Sequence, residues 1–148
     1  MGPFRRRTFL IWLMFISTPL FAETLANRDL VRQQTGAFMD MIASGRVAAA
    51  YNSMRPYLGI EPEVYDLAVR EAATYFQQVN QTLGDAVGSS RVKVEVIAND
   101  FTRETWLQKF EADAIAWHFT YYQPDGNGWK LVEVRHSTDL DRLFRPPE

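Results

Sequence analysis

The spacing of apolar side chains changes once along this chain, and that change limits what the chain can become. Up to Gly84 they recur three and four residues apart, and from Arg91 they recur at every second residue. The first spacing lays a stripe along an α-helix; the second lays one on a single face of a β-strand. A chain that spends one half on each, in that order, falls in the α+β class, with helices gathered against an antiparallel sheet. At 148 residues there is room for one domain.

Three helices are expected first. In the segment 23–44 the stripe is Leu30, Val31, Ala37, Phe38, Met41 and Ile42, ending at Ser44-Gly45. A shorter helix over 46–54 places Val47, Tyr51 and Met54 on one side, and Pro56 and Gly59 close it. The third opens at Glu61-Pro62-Glu63, where proline and acids suit a first turn, and carries Val64, Ala68, Ala72, Tyr75, Phe76, Val79 and Leu83 before Gly84.

After a flexible stretch over 85–90, Val92, Val94 and Val96 alternate with Arg91, Lys93 and Glu95 as on a half-buried strand. A strand over 102–110 is preferred to a helix, although Trp106, Phe110, Ala114 and Trp117 also fit helical spacing. The segments 114–122 and 129–136 flank Gln-Pro-Asp-Gly-Asn-Gly, a strong hairpin signal. A helical turn over 138–144 ends at Pro146-Pro147. The expected architecture is three N-terminal helices packed on a four-stranded antiparallel meander, cone-like in form.

Residues 1–22 have the form of a secretory signal peptide. Arg5, Arg6 and Arg7 precede the apolar run Phe9–Ile16, Ser17-Thr18-Pro19 break it, and Ala22 is the expected last leader residue. The run is shorter than the about 20 residues a membrane-spanning helix needs, so no stable anchor is expected once the leader is removed. The Arg6-Arg7 pair leaves twin-arginine export as an alternative to the general secretory route. A periplasmic or secreted location follows, with residues 23–148 as the folded domain. Leader removal takes three arginines and no acids, moving the net charge from −2 to −5. With no later cluster of Lys and Arg, a nucleic-acid surface is not expected. The chain has no cysteine, which rules out disulfides, thiolate nucleophiles and cysteine metal sites.

Pairing Tyr122 with Trp129 across the hairpin sets Thr120 opposite Leu131, His118 opposite Glu133 and Ala116 opposite Arg135. Ile115, Trp117, Phe119, Tyr121, Val132 and Val134 then form a core face. His118, Thr120, Tyr122, Trp129, Leu131, Glu133 and Arg135 form the other. Glu133 beside His118 could orient the imidazole as a general base; the competing reading is an exposed cross-strand ion pair worth about 1 kcal/mol or less. His118 and His136 fall on opposite faces, so no two-histidine metal site is expected. Phosphate-loop, His-Glu-x-x-His, Gly-x-Ser-x-Gly and dinucleotide motifs are all missing, and no cofactor is expected.

The helical first half, the aromatic strand Trp117–Tyr122, the Gly128-Trp129-Lys130-Leu131 strand and the acidic tail Asp139–Phe144 resemble the nuclear transport factor 2-like (NTF2-like) and cystatin-like cone folds. They are also similar to small exported proteobacterial proteins described as quorum-sensing-regulated virulence factors of unassigned biochemistry. The resemblance implies a cup between helices and sheet, with Tyr51, Tyr75, Trp106, Trp117 and Tyr121 as candidate ligand-binding residues; plain burial competes for each. Asp40 lies off the stripe and is expected in solvent. The function expected is an exported, non-enzymatic binding or interaction domain, with the virulence association that the resemblance implies. It would take a small apolar ligand in the cup or a protein on the sheet face, and a homodimer is compatible with it. The alternative is a small cofactor-free enzyme doing proton transfer, isomerase- or dehydratase-like, with His118 and Glu133.

Overall fold

A computed structural model describes residues 23–144. The expected leader 1–22 lies outside the described residues. Helices α1 (Arg28–Ala43), α2 (Val47–Met54) and α3 (Pro62–Leu83) are followed by strands β1 (Ala86–Ile97), β2 (Phe101–Phe110), β3 (Ala114–Tyr122) and β4 (Lys130–Ser137). The strands form one antiparallel sheet in the order β1-β2-β3-β4. The α+β arrangement of three helices and a four-stranded meander is therefore the observed one.

Local chemistry sets the element ends. Asn27 adopts an extended backbone, and its side-chain oxygen accepts the Leu30 amide at 2.9 Å, starting α1. Pro62 occupies the first turn of α3, where its missing N–H costs nothing, and Gly84 ends the helix at φ 80°. The tail forms a 3₁₀ turn over Asp141–Leu143.

The core lies between the helices and one face of the sheet. Phe38 of α1 is its centre: the rings of Tyr51, Trp117 and Phe119 lie 5.2, 5.4 and 5.1 Å away, all edge-on. On α3 the buried positions are Tyr65, Ala72, Phe76 and Val79, while Val64, expected in the stripe, is exposed. Tyr65 replaces it because its hydroxyl reaches the Tyr51 carbonyl at 2.6 Å.

Two strand expectations change. First, β1 begins at Ala86, inside the stretch read as flexible, because Gly88, Ser89 and Ser90 already pair with Lys109, Gln108 and Leu107. A bulge at Val92 then divides the valine stripe. Val94 and Val96 follow the ladder opposite Glu104 and Thr102, and all three valines are exposed rather than half-buried. Second, β4 is bulged at Val132, so Thr120 pairs with Glu133 but Tyr121 with Leu131. Tyr122 pairs with Lys130 in place of Trp129, which turns Leu131 and Trp129 to the core, where they are buried, against the expectation that both lie on the open face; the extra residue at Val132 then returns Glu133 to that face. Trp129 exchanges backbone hydrogen bonds with Leu25, and the Gly59 amide donates to the Leu131 carbonyl, so chain segments cover this end of β4. Gly128, at φ 111°, sits so close to Thr24 that an added Cβ would meet that side chain at 2.7 Å.

Candidate functional site

The face of the sheet turned away from the helices is built from cross-strand rows. Register sets Glu95, Arg103, Thr120 and Glu133 in one row and Lys93, Thr105, His118 and Arg135 in the next. An aromatic row beside them carries Phe101 stacked on Tyr122 at 4.6 Å. At the other end, Leu140, Leu143 and Phe144 of the tail line a cleft with Leu107 and Val92.

The first row is bonded across three strands. Arg103 donates through Nε to Thr120 Oγ1 at 2.9 Å, and Thr120 donates to Glu133 Oε2 at 2.9 Å. The Arg103 and Arg135 guanidiniums lie 3.4 and 3.6 Å from the Glu133 carboxylate. Glu133 is thus engaged by Arg103 and Thr120 of its own row and by Arg135 of the next. The expected His118–Glu133 cross-strand pairing does not occur: Tyr122 pairs with Lys130 in place of Trp129, the Val132 bulge adds one more residue, and Arg135 stands opposite His118. Nδ1 of the imidazole instead meets Thr105 Oγ1 at 3.0 Å.

His118 is half-buried. Burial pushes its pKa below the ordinary histidine value; Arg135 and Arg103 push the same way, while Glu133 and Glu95 oppose them. The ring is therefore neutral at pH 7, with Thr105 at Nδ1, so Nε2 is the nitrogen left for a ligand. It lines a cleft of about 320 Å³ with Arg135, Ser137, Asp139 and Arg142. A second cleft on this face, about 270 Å³, is lined by Glu95, Ile97, Phe101, Arg103 and Thr120.

The five aromatic candidates are placed differently from a cup lining. Tyr51, Trp117 and Tyr121 are buried in the core. Tyr75 is half-buried and stacks on His136 at 4.8 Å; Trp106 is half-buried and donates its indole N–H to Glu104 Oε1 at 3.2 Å. None of them lines either open-face cleft, nor the cavity of about 250 Å³ on the helix side, which is bounded by Ile42, Val47, Phe76, Gln77, Asn80 and Gln108. Burial drives the hydroxyls of Tyr51, Tyr65 and Tyr121 well above the normal tyrosine range. Asp40 is exposed, as its position off the stripe implies.

Comparison with family models, curated proteins and solved structures returns no match.

Sequence reasoning passed over Thr105 and Arg103 and placed Thr120 on this face without a role; the roles of all three arise from neighbours on other strands. It also passed over Glu104, which period-two counting could have found: it shares a face with Trp106 and Gln108, and it is buried. Burial raises the Glu104 carboxyl above its ordinary value, against the lowering effect of the Trp106 hydrogen bond and of Arg91 and Arg32.

Proposed function

We propose that this chain is an exported, non-enzymatic binding domain whose working surface is the open face of its sheet, and that the ligand is a segment of another protein. The observation that carries this reading is the packing of the aromatic candidates. Tyr51 and Trp117 pack on Phe38, and Phe76 stacks on Trp117, so none of the five candidates lines the cavity of about 250 Å³ that remains on the helix side. The open face offers alternating charge between two apolar ends, Phe101 with Tyr122 and Leu107 with the tail, over the length of an extended peptide. The leader-like N-terminus supports export, and the order of helices before a meander is in keeping with the NTF2-like and cystatin-like resemblance; fold alone does not fix function.

The test is a photo-crosslinking amino acid placed at Arg103, Tyr122 or Arg135 in the exporting cell, with exposed Arg70 of α3 as the control. A discrete adduct from the sheet positions and none from Arg70 is expected. Equal adducts from all four positions, or none from any, would overturn the assignment. Melting curves across a set of lipids and steroids are expected to stay flat.

One observation favours a second reading. His118 is a neutral, half-buried imidazole on a cleft, held at Nδ1, which is the arrangement a proton-transfer base requires. In that reading Thr105 takes the orienting role first given to Glu133. An activity found by substrate screening that survives His118→Gln would eliminate it.

A further inference from the structure

The two edges of the sheet are treated differently. At β4 the Leu25 and Leu58 segments cover the start of the strand by backbone bridges. At β1, none of the described residues pairs with the outer edge along its 12 residues. The same strand concentrates the exposed apolar surface: of the nine exposed large hydrophobic residues among those described, Val87, Val92, Val94, Val96 and Ile97 lie on β1. Val96 and Ile97 keep 56% and 68% of their surface in water. A long open edge with apolar side chains is a template for another strand.

We propose that a second copy of this chain occupies that edge, β1 against β1 in antiparallel fashion, about a two-fold axis through Val94. Charge selects both the occupant and the register. In a sheet continued across a two-fold axis, paired residues share a face, so the axis must pass through a residue and each step moves it along the strand by one position. An axis at Lys93 sets that ammonium against its own copy, and an axis at Glu95 does the same with carboxylates. An axis at Val94 places Lys93 opposite Glu95 of the partner subunit, twice by symmetry, with Val94 against Val94 of the partner subunit on the other face. Lys93 and Glu95 are half-exposed and form an ion pair with each other along the strand, at 3.7 Å. Charges on an edge ordinarily repel a second copy; these alternate in sign, and the register at Val94 satisfies both. The resulting sheet has eight strands and leaves the two open faces side by side, so this inference stands independently of the open-face function.

Sedimentation of the full chain over a concentration series, with charge reversals, tests it. Wild type is expected to dimerise. Lys93→Glu and Glu95→Lys are each expected to weaken the dimer about tenfold or more, because each sets like charges opposite one another. Mixing the two single variants restores association as a heterodimer, since one then carries two acids and the other two bases. The double exchange Lys93→Glu/Glu95→Lys restores the homodimer. Because the native chain has no cysteine, Val94→Cys gives an unambiguous self-crosslink. Its Cβ atoms would lie about 4.5–5.5 Å apart across the axis, while those of Val96→Cys would be about 13 Å apart and stay unlinked. A monomer at every concentration, a dimer indifferent to the single reversals, single variants that fail to associate on mixing, or crosslinking at position 96 in place of 94 would each overturn the proposal.

Discussion

Thr105 Oγ1 and His118 Nδ1 face each other at 3.0 Å across β2 and β3, one residue pair of the central ladder. This contact gives the imidazole a fixed ring orientation, whichever of the two groups donates. Thr105→Val removes it without changing the shape of the side chain. Nitrogen NMR of the ring is expected to show the Nδ1 resonance shifted in Thr105→Val relative to the wild type. Glu133→Gln should leave that resonance unchanged, because Glu133 bonds with Arg103 and Thr120 instead.

Both histidines are pushed below their ordinary pKa by burial, His118 with added repulsion from Arg135 and Arg103. At pH values above about 6.5, the unfolded value, both states are neutral and the groups add no penalty. As pH falls below that, the unfolded chain takes up protons that the native one refuses, and stability is lost until the folded pKa values are passed. Urea unfolding between pH 7.5 and 5 should show this decline, and His118→Gln and His136→Gln should each flatten it. A stability that rises through that window, with no change in the variants, would contradict the assignment.

Glu104 has the opposite sign. Its carboxyl is raised by burial, so its native environment favours the neutral form, and stability is withdrawn as pH rises through the raised value. Glu104→Gln keeps an acceptor for the Trp106 indole and removes the buried charge. The variant should melt above the wild type at pH 7, with the gap closing in acid as Glu104 itself becomes protonated. A lower melting temperature at pH 7 would show that the Arg91 contact, 3.7 Å away, outweighs desolvation.

Phe38 is fully buried with three aromatic rings against it. Phe38→Ala opens a cavity where α1, α2 and the sheet meet. The expected loss is about 3–5 kcal/mol, measured by urea unfolding with an unchanged open-face adduct pattern in whatever fraction remains folded.

Leu131 reports on the hairpin register. It is fully buried, although pairing Tyr122 with Trp129 would set it opposite Thr120 on the other face of the sheet. Leu131→Lys should therefore unfold the domain or cost more than about 4 kcal/mol, the range of a buried unpaired charge. Arg135→Lys, on the open face, should stay within about 0.5 kcal/mol. Comparable melting temperatures for the two variants would refute the observed register.

The order and type of the elements were legible because apolar spacing and capping residues act locally. Pro62, Gly84 and the Gln123–Gly128 connection each act within a few residues, and each stands where the corresponding element begins or ends. What counting could not supply was the number of residues opposite each other on neighbouring strands. Pairing Tyr122 with Lys130 in place of Trp129 reverses the side on which Leu131 and Trp129 lie, and the extra residue at Val132 then gives His118 an arginine where the expected register gives it a glutamate. The bulge reconciles two demands of burial: Trp129 and Leu131 lie under the helices, with Leu25 and Gly59 as backbone partners, while Glu133 and Arg135 keep to the open face. Likewise the aromatic stripe announced apolar surface without saying whether it encloses a space or fills one; that depends on how closely Phe38 approaches Trp117, which is a distance between elements. The amino-acid order thus determined three helices, four strands and their succession, since these depend on neighbours in the chain. Tertiary packing alone decided the register, the neighbours of His118 and the exposure of β1, since these depend on which residues remain to be covered once the core is full.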